Sequence, residues 1–362
     1  MKHLENDQLL EAIATCAAFG PSGAESAIER AVVKIKANGL PVTNVDPPVL
    51  VVRQILEQYR SLIVPEHYKE LTDLDIYVPS LPLCNAVANT RKRYIIVYEG
   101  LLQALRYRLE ASLIINAVGK QRATSNDNLS ISDDDFKTLA FRTILLPLHF
   151  YRNHNPLPTV FQTLEPSLQQ DAFIGFAGIL IFVLLHELGH IKLHGSMLAA
   201  EHGEIYLPAL ACSEQLNRFK TEELEADQFA FEAFVPEARG VALINAAFAF
   251  QFFADLEQSS GIFKSDHPMI VNRLTHLSQL PNAMNDDIIK LHFLKMLENH
   301  RFLTNIQITG KHSHEDQLPR GLISSMAETS LYRLIDDEPT CRAALEKLLS
   351  VYQNCISEAA AS

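Results

Sequence analysis

Hydrophobic and polar positions change their spacing several times along this chain. Near the start, "PSGAESAIERAVVKIKANGLP" places Ser22 three residues before Glu25 and closes on Asn38-Gly39 ahead of Pro41. A capping box at one end and a glycine stop at the other predict a helix with both ends marked. A second helix is expected in "VLVVRQILEQYRSLIVP", after Pro48. The texture then turns to β-branched and aromatic residues broken by prolines, which predicts short strands near Leu74–Val78, Asn85–Ala88 and Tyr94–Tyr98. Gly119–Asp135 is polar and poor in large apolar residues, so a flexible loop is expected there. From Phe136 the spacing is mostly helical, with a polar break at Thr309–Gly321. No internal repeat is evident. The expected fold is α+β, mainly helical around one small sheet. A helical region over 1–70 would precede a catalytic-type domain over 71–284, and a second helical region would occupy 285–362.

Two runs are apolar almost throughout, Ala172–Leu185 and Gly240–Leu256. Both fall short of the ~20 residues that span a bilayer. The first is bounded by Asp171 and His186, and the second carries Asn245, Gln251 and Asp255. Core helices are therefore expected, with no membrane span.

Composition narrows the class further. The 362 residues are 48% hydrophobic and 20% charged, which is ordinary for a globular chain with a sizeable core. A formal net charge of −12 is poorly matched to a phosphate backbone, so nucleic acid is not an expected partner. Cys16, Cys84, Cys212, Cys341 and Cys355 are scattered and odd in number, as in reduced, cytoplasmic proteins. Glu5, Asp7 and Glu11 interrupt any apolar leader near the start.

The first run leads directly into His-Glu-Leu-Gly-His, His186 to His190. On a helix these histidines lie four apart, about 40° around the axis and ~6 Å along it. Both imidazoles can then meet one ion at about 2.0–2.1 Å. Glu187 is turned about 100° from His186 and suits a general base acting on a metal-activated water. An apolar approach to such a site is expected, because ligand positions must be held by a packed helix. "KHSHED", around His312 and His314, reads as a polar loop, and no phosphate loop or nucleophile–histidine arrangement competes.

A catalytic zinc takes three protein ligands and keeps one open position. The metzincin pattern would need Gly at 193 and His at 196, where this chain has Leu193 and Ser196. His194 lies a further turn along and reads as surface, while Glu201, His202 and Glu204 are alternatives in a loop. The favoured candidate is Glu223 in "KTEELEADQFAFEAF", with Asp227 one turn later to accept a histidine N–H. Ala226 between them is small enough for close helix approach. Equally, Glu222, Glu223 and Glu225 suit a solvated helix start.

Together these residues resemble the gluzincin metallopeptidases, specifically the family of HtpX and the CAAX prenyl endopeptidases. "LCNAVANTRKRYIIVYEGLL" resembles that family's substrate strand and the strand after it, and "SDHPMIVNRLTHL" resembles its His-Pro segment. The resemblance implies a zinc endopeptidase with one Zn2+ per chain, bound by His186, His190 and Glu223. It makes Glu187 the base and proton shuttle and Asp227 the partner of a ligand histidine. Asn85, Ala86, Val87 and Ala88 would receive a protein or peptide substrate as an added strand. His267 would steady the oxyanion, with Arg273 as a nearby ion-pair former.

Val87 stands where the family has phenylalanine, and the family's transmembrane helices are missing. The long Gly119–Asp135 segment suggests a lid or a regulatory partner's contact. A likeness to the Lit-type phage-exclusion peptidases rests on the motif and on solubility. The rival of another class is a zinc-stabilised peptide-binding module that does not cut.

Overall fold

The computed structural model describes residues 47–78, 84–90, 93–124, 131–153, 157, 163–194, 213–260, 270–284, 287 and 338–361. Those residues are mainly helical with one three-stranded sheet, the α+β architecture the spacing implies. The helix expected over Ser22–Asn38 lies outside them, as do His202, Glu204, His267, His312 and His314. The chain divides into two compact units that interleave in sequence. One takes the described residues within Met1–Gly100 and Val183–Val235; the other takes those within Leu101–Phe182, Pro236–Phe263 and Met269–Ser362.

In the first unit, α1 (Pro47–Gln58) and α2 (Pro65–Thr72) precede the sheet, each with proline in the first turn, where its missing N–H costs nothing. The strands are β1 (Asp75–Tyr77), β2 (Ala86–Asn89) and β3 (Tyr94–Val97), in the order β1-β3-β2. β3 pairs parallel with β1 and antiparallel with β2, with Val87 opposite Ile96 and Asn89 opposite Tyr94. Its sequence, YIIV, is buried at every position, as a central strand covered on both faces requires. Tyr94, Ile96 and Tyr98 form one apolar cluster, against which Tyr77 and Val87 pack. β2 is therefore an edge strand whose Val87 side chain serves the sheet's own core.

The second unit holds α3 (Glu99–Thr124) from Leu101 onward, α4 (Asp133–Asn153), α7 (Arg239–Ser260), α8 (Ile270–Ser278) and α9 (Glu338–Ala361). Helix occupies both ends of the polar segment Gly119–Asp135. α3 runs on to Thr124, because Lys120, Gln121 and Arg122 are polar yet favour helix. Arg122 pairs with Asp133 and stacks 4.9 Å from the Phe136 ring, while Ser132 Oγ accepts the Asp135 N–H at 3.1 Å and caps α4. α4 and α9 meet through Ile131, Leu139 and Ala344, with Phe136 and Val351 alongside.

α5 (Pro166–Leu193) contributes its stretch up to Phe182 to the second unit and its remainder to the first. Among the described residues it alone is long and apolar enough to cross a membrane, yet 78% of its most apolar window is buried within the protein. That burial matches a core helix. Against it lies α7, the second apolar run: Phe182 meets the Phe250 ring edge-on at 5.7 Å, and the backbone at Gly178 faces the Asn245 amide. Asn245, one of the three polar residues in the second run, is thus buried against a glycine.

Candidate metal centre

The final turns of α5 and the helix α6 (Ser213–Glu232) build the site. They approach closely at two small residues. A Cβ added to Gly189 would stand 3.1 Å from Ala226 Cα and 3.2 Å from its carbonyl oxygen. This contact brings the acidic face of α6 to the two histidines. Its register is held beyond the site as well. The Val64 N–H donates to the Ala233 carbonyl at 2.8 Å, and the Val235 N–H to that of Leu62 at 2.9 Å, around an Ile63–Phe234 bridge. The end of α5 is tied to α2 by Lys192, whose Nζ lies 2.7 Å from both oxygens of Glu70. Phe229 of α6 packs against the His67 ring at 4.9 Å and beneath Lys192 at 5.6 Å.

Three side chains converge. His186 Nε2 and His190 Nε2 are 3.1 Å apart. Glu223 brings Oε2 to 3.5 Å from the first and Oε1 to 3.3 Å from the second. Among the described residues this is the cluster able to hold a metal ion, with its ligand atoms all within 4.8 Å of one another. Ligands about 2.05 Å from a tetrahedral ion stand about 3.3 Å from each other, so the spacing fits zinc without rearrangement. The donor chemistry fits too. Two imidazole nitrogens and a carboxylate facing one point are a donor set that suits a divalent cation.

Behind the cluster, His186 Nδ1 lies 2.9 Å from Asp227 Oδ1, and the Asp227 carboxylate is fully buried. Burial alone would lower the His186 pKa, but Asp227 and Glu223 outweigh it and push the imidazole up to about 10. A metal ion held between the three side chains would take the place of that proton. Glu187, next to His186 in sequence, is buried and is not one of the three clustered ligands.

His194 is not at the surface. It is 2% exposed, with Nδ1 3.2 Å from His190 Nδ1 and Nε2 3.0 Å from Glu225 Oε2. Helical spacing had suggested drift away from the site, but α6 arrives on that side with Glu225. The acidic start of α6 is thus sorted residue by residue: Glu222 pairs with Arg218, Glu223 faces the histidine pair, Glu225 takes His194 and Asp227 takes His186. The sequence offers Glu223 as a ligand and Asp227 as a histidine's partner, from their i, i+4 spacing, and marks no partner for Glu222 or Glu225.

The other expected site residues stand on other elements. Ala86, Val87 and Ala88 are on β2, and Asn85 immediately precedes it, accepting the Tyr98 N–H on its backbone carbonyl at 3.1 Å. Arg273 belongs to the second unit, buried, with its guanidinium carbon 3.9 Å from the centre of the Phe250 ring. Cys84 is buried, its thiol donating to the Gly100 carbonyl at 3.6 Å, and burial pushes its pKa up to about 12, which makes it inert.

The family model described as Peptidase U49 matches residues 127–295. The match supports a peptidase family and takes in His186, Glu187, His190, Glu223 and Asp227. It starts beyond the β2–β3 strands and does not single out the HtpX and CAAX endopeptidases. No curated protein and no solved structure gives a significant match to the chain.

Proposed function

We propose that this chain is a zinc-dependent endopeptidase of the gluzincin type, holding one Zn2+ through His186, His190 and Glu223. The observation that carries the reading is the convergence of those three side chains at 3.1–3.5 Å from one another. Those residues would hold a zinc ion, which would supply a Lewis acid able to bring the pKa of water toward about 7 and polarise a carbonyl. Glu187, next along the helix from His186, takes the proton of the attacking water and returns it to the leaving amine. Asp227 holds the His186 ring in place through Nδ1. The substrate is a protein segment in extended form, added as a strand along the outer side of β2, which pairs with β3 on its other side. The Val87 side chain packs against the cluster of Tyr94, Ile96 and Tyr98, so β2 would hold substrate through its main chain.

Elemental analysis of the wild type beside Glu223→Ala and Glu187→Gln tests this. We expect about one zinc per chain in the wild type and in Glu187→Gln, and much less in Glu223→Ala. Peptide cleavage should vanish in Glu187→Gln. A Glu187→Gln protein that cuts like the wild type overturns the base assignment, and peptide binding without cleavage in both would mark a binding module. Full zinc in Glu223→Ala overturns the ligand set.

A further inference from the structure

The two ligand histidines are supported differently. His186 backs onto the buried carboxylate of Asp227, whereas His190 backs onto another imidazole. We propose that His194 is a positioning residue that, together with Glu225, fixes the tautomer of His190 so that its Nε2 lone pair faces the ion. The proposal rests on the metal-site reading above, and adds two residues to it.

The argument is a count of protons. An ionised carboxylate only accepts hydrogen bonds, so the 3.0 Å contact with Glu225 Oε2 needs a proton on His194 Nε2. A neutral imidazole then has its Nδ1 free to accept. That atom lies 3.2 Å from His190 Nδ1, which must therefore be the donor. With its proton on Nδ1, His190 presents an unprotonated Nε2 to the cluster shared with His186 and Glu223. With His194 neutral, each step leaves one choice, and a protonated His194 would reverse the last of them. The chain runs from an exposed acid inward, Glu225 to His194 to His190.

The geometry keeps His194 in this role and out of the ligand set. Its ring contacts the side of His190 opposite the cluster, with the ring centres 5.3 Å apart. The His194 N–H donates to the His190 carbonyl at 3.1 Å, so the helical turn continues far enough to bring the third ring, tilted by 54°, up to the second. The His194 side chain is 3% exposed and that of Glu225 54%. Water therefore has little access to His194, while Glu225 can be altered with little strain on the core.

The test uses the full chain, with Glu225→Gln and His194→Asn beside the wild type. Glutamine can donate as well as accept, so it no longer dictates where the His194 proton sits. Asparagine removes the link to Glu225. Two quantities are read: the zinc dissociation constant by chelator competition, and the protonation of each ring nitrogen of His190 by 15N NMR of the metal-free protein. We expect His190 protonated on Nδ1 in the wild type, a mixture of tautomers in Glu225→Gln, and zinc binding about 10-fold weaker or worse in both variants. Affinity within about twofold of wild type in both variants, or a wild-type His190 protonated on Nε2, overturns the proposal. A wild type that binds no zinc overturns the metal reading along with it; a wild type that binds zinc no better than the variants overturns this proposal alone. Glu225→Gln, altered at an exposed side chain, keeps the test decisive if His194→Asn does not fold.

Discussion

Two of the three glycines in α5 do opposite jobs. Upstream, the backbone at Gly178 receives the Asn245 side chain, so that an added Cβ would fall 2.2 Å from its Nδ2. Downstream, the backbone at Gly189 receives the backbone of Ala226. Each glycine costs the helix about 1 kcal/mol relative to alanine. The first admits a side-chain end, which can move aside. The second admits a neighbouring helix, which cannot move without carrying Glu223 and Asp227 with it. The upstream stretch therefore serves stability, and the downstream stretch serves the placement of ligands.

The sharpest test of that division is Phe182→Ala, which removes a fully buried ring packed on Phe250. Denaturant unfolding should show a loss of about 3–5 kcal/mol, with zinc stoichiometry of the folded protein unchanged. Loss of zinc on the same scale would mean that the two stretches are not separable. Next comes Gly189→Ala. The gain in helix propensity offsets the crowding, so unfolding should move by less than about 1 kcal/mol while zinc affinity falls about tenfold or more. The smallest effect is expected from Gly178→Ala, where Asn245 repacks. Its stability should stay within about 1 kcal/mol of wild type, with zinc affinity unaltered. Equal zinc loss in the two glycine variants would break the comparison.

Much of this was readable beforehand because it depends on local spacing. The strands follow from β-branched runs between prolines and turns, and all three appear within a residue or two of where they were expected. His186 and His190 meet because a helix brings i and i+4 together, and the same rule relates Glu223 to Asp227. His194 was misread because its partner is distant in sequence. Nothing near it marks Glu225, 31 positions away, as the group that would cover it. The buried charges of α3 were hidden for a similar reason. Arg108 and Glu110 are both buried; Arg106 answers Glu110 from one turn away at 2.8 Å, but only packing shows that the Arg108 guanidinium lies over the Phe252 ring. The Gly119–Asp135 segment misled in the other direction, since polarity alone does not distinguish a loop from an exposed helix end.

The pairing of Leu62–Val64 with Ala233–Val235 fixes where α6 ends, and so from which direction its register is counted. A helix pinned at its exit tolerates additions at its entrance. Residues added between 194 and 213 should leave Glu223 and Asp227 facing the histidines, since neither carboxylate is measured from that side. One residue inserted between Asp227 and Ala233 would instead turn both about 100° and advance them ~1.5 Å. The same insertion, a few turns apart, would be silent in one place and abolish metal binding in the other.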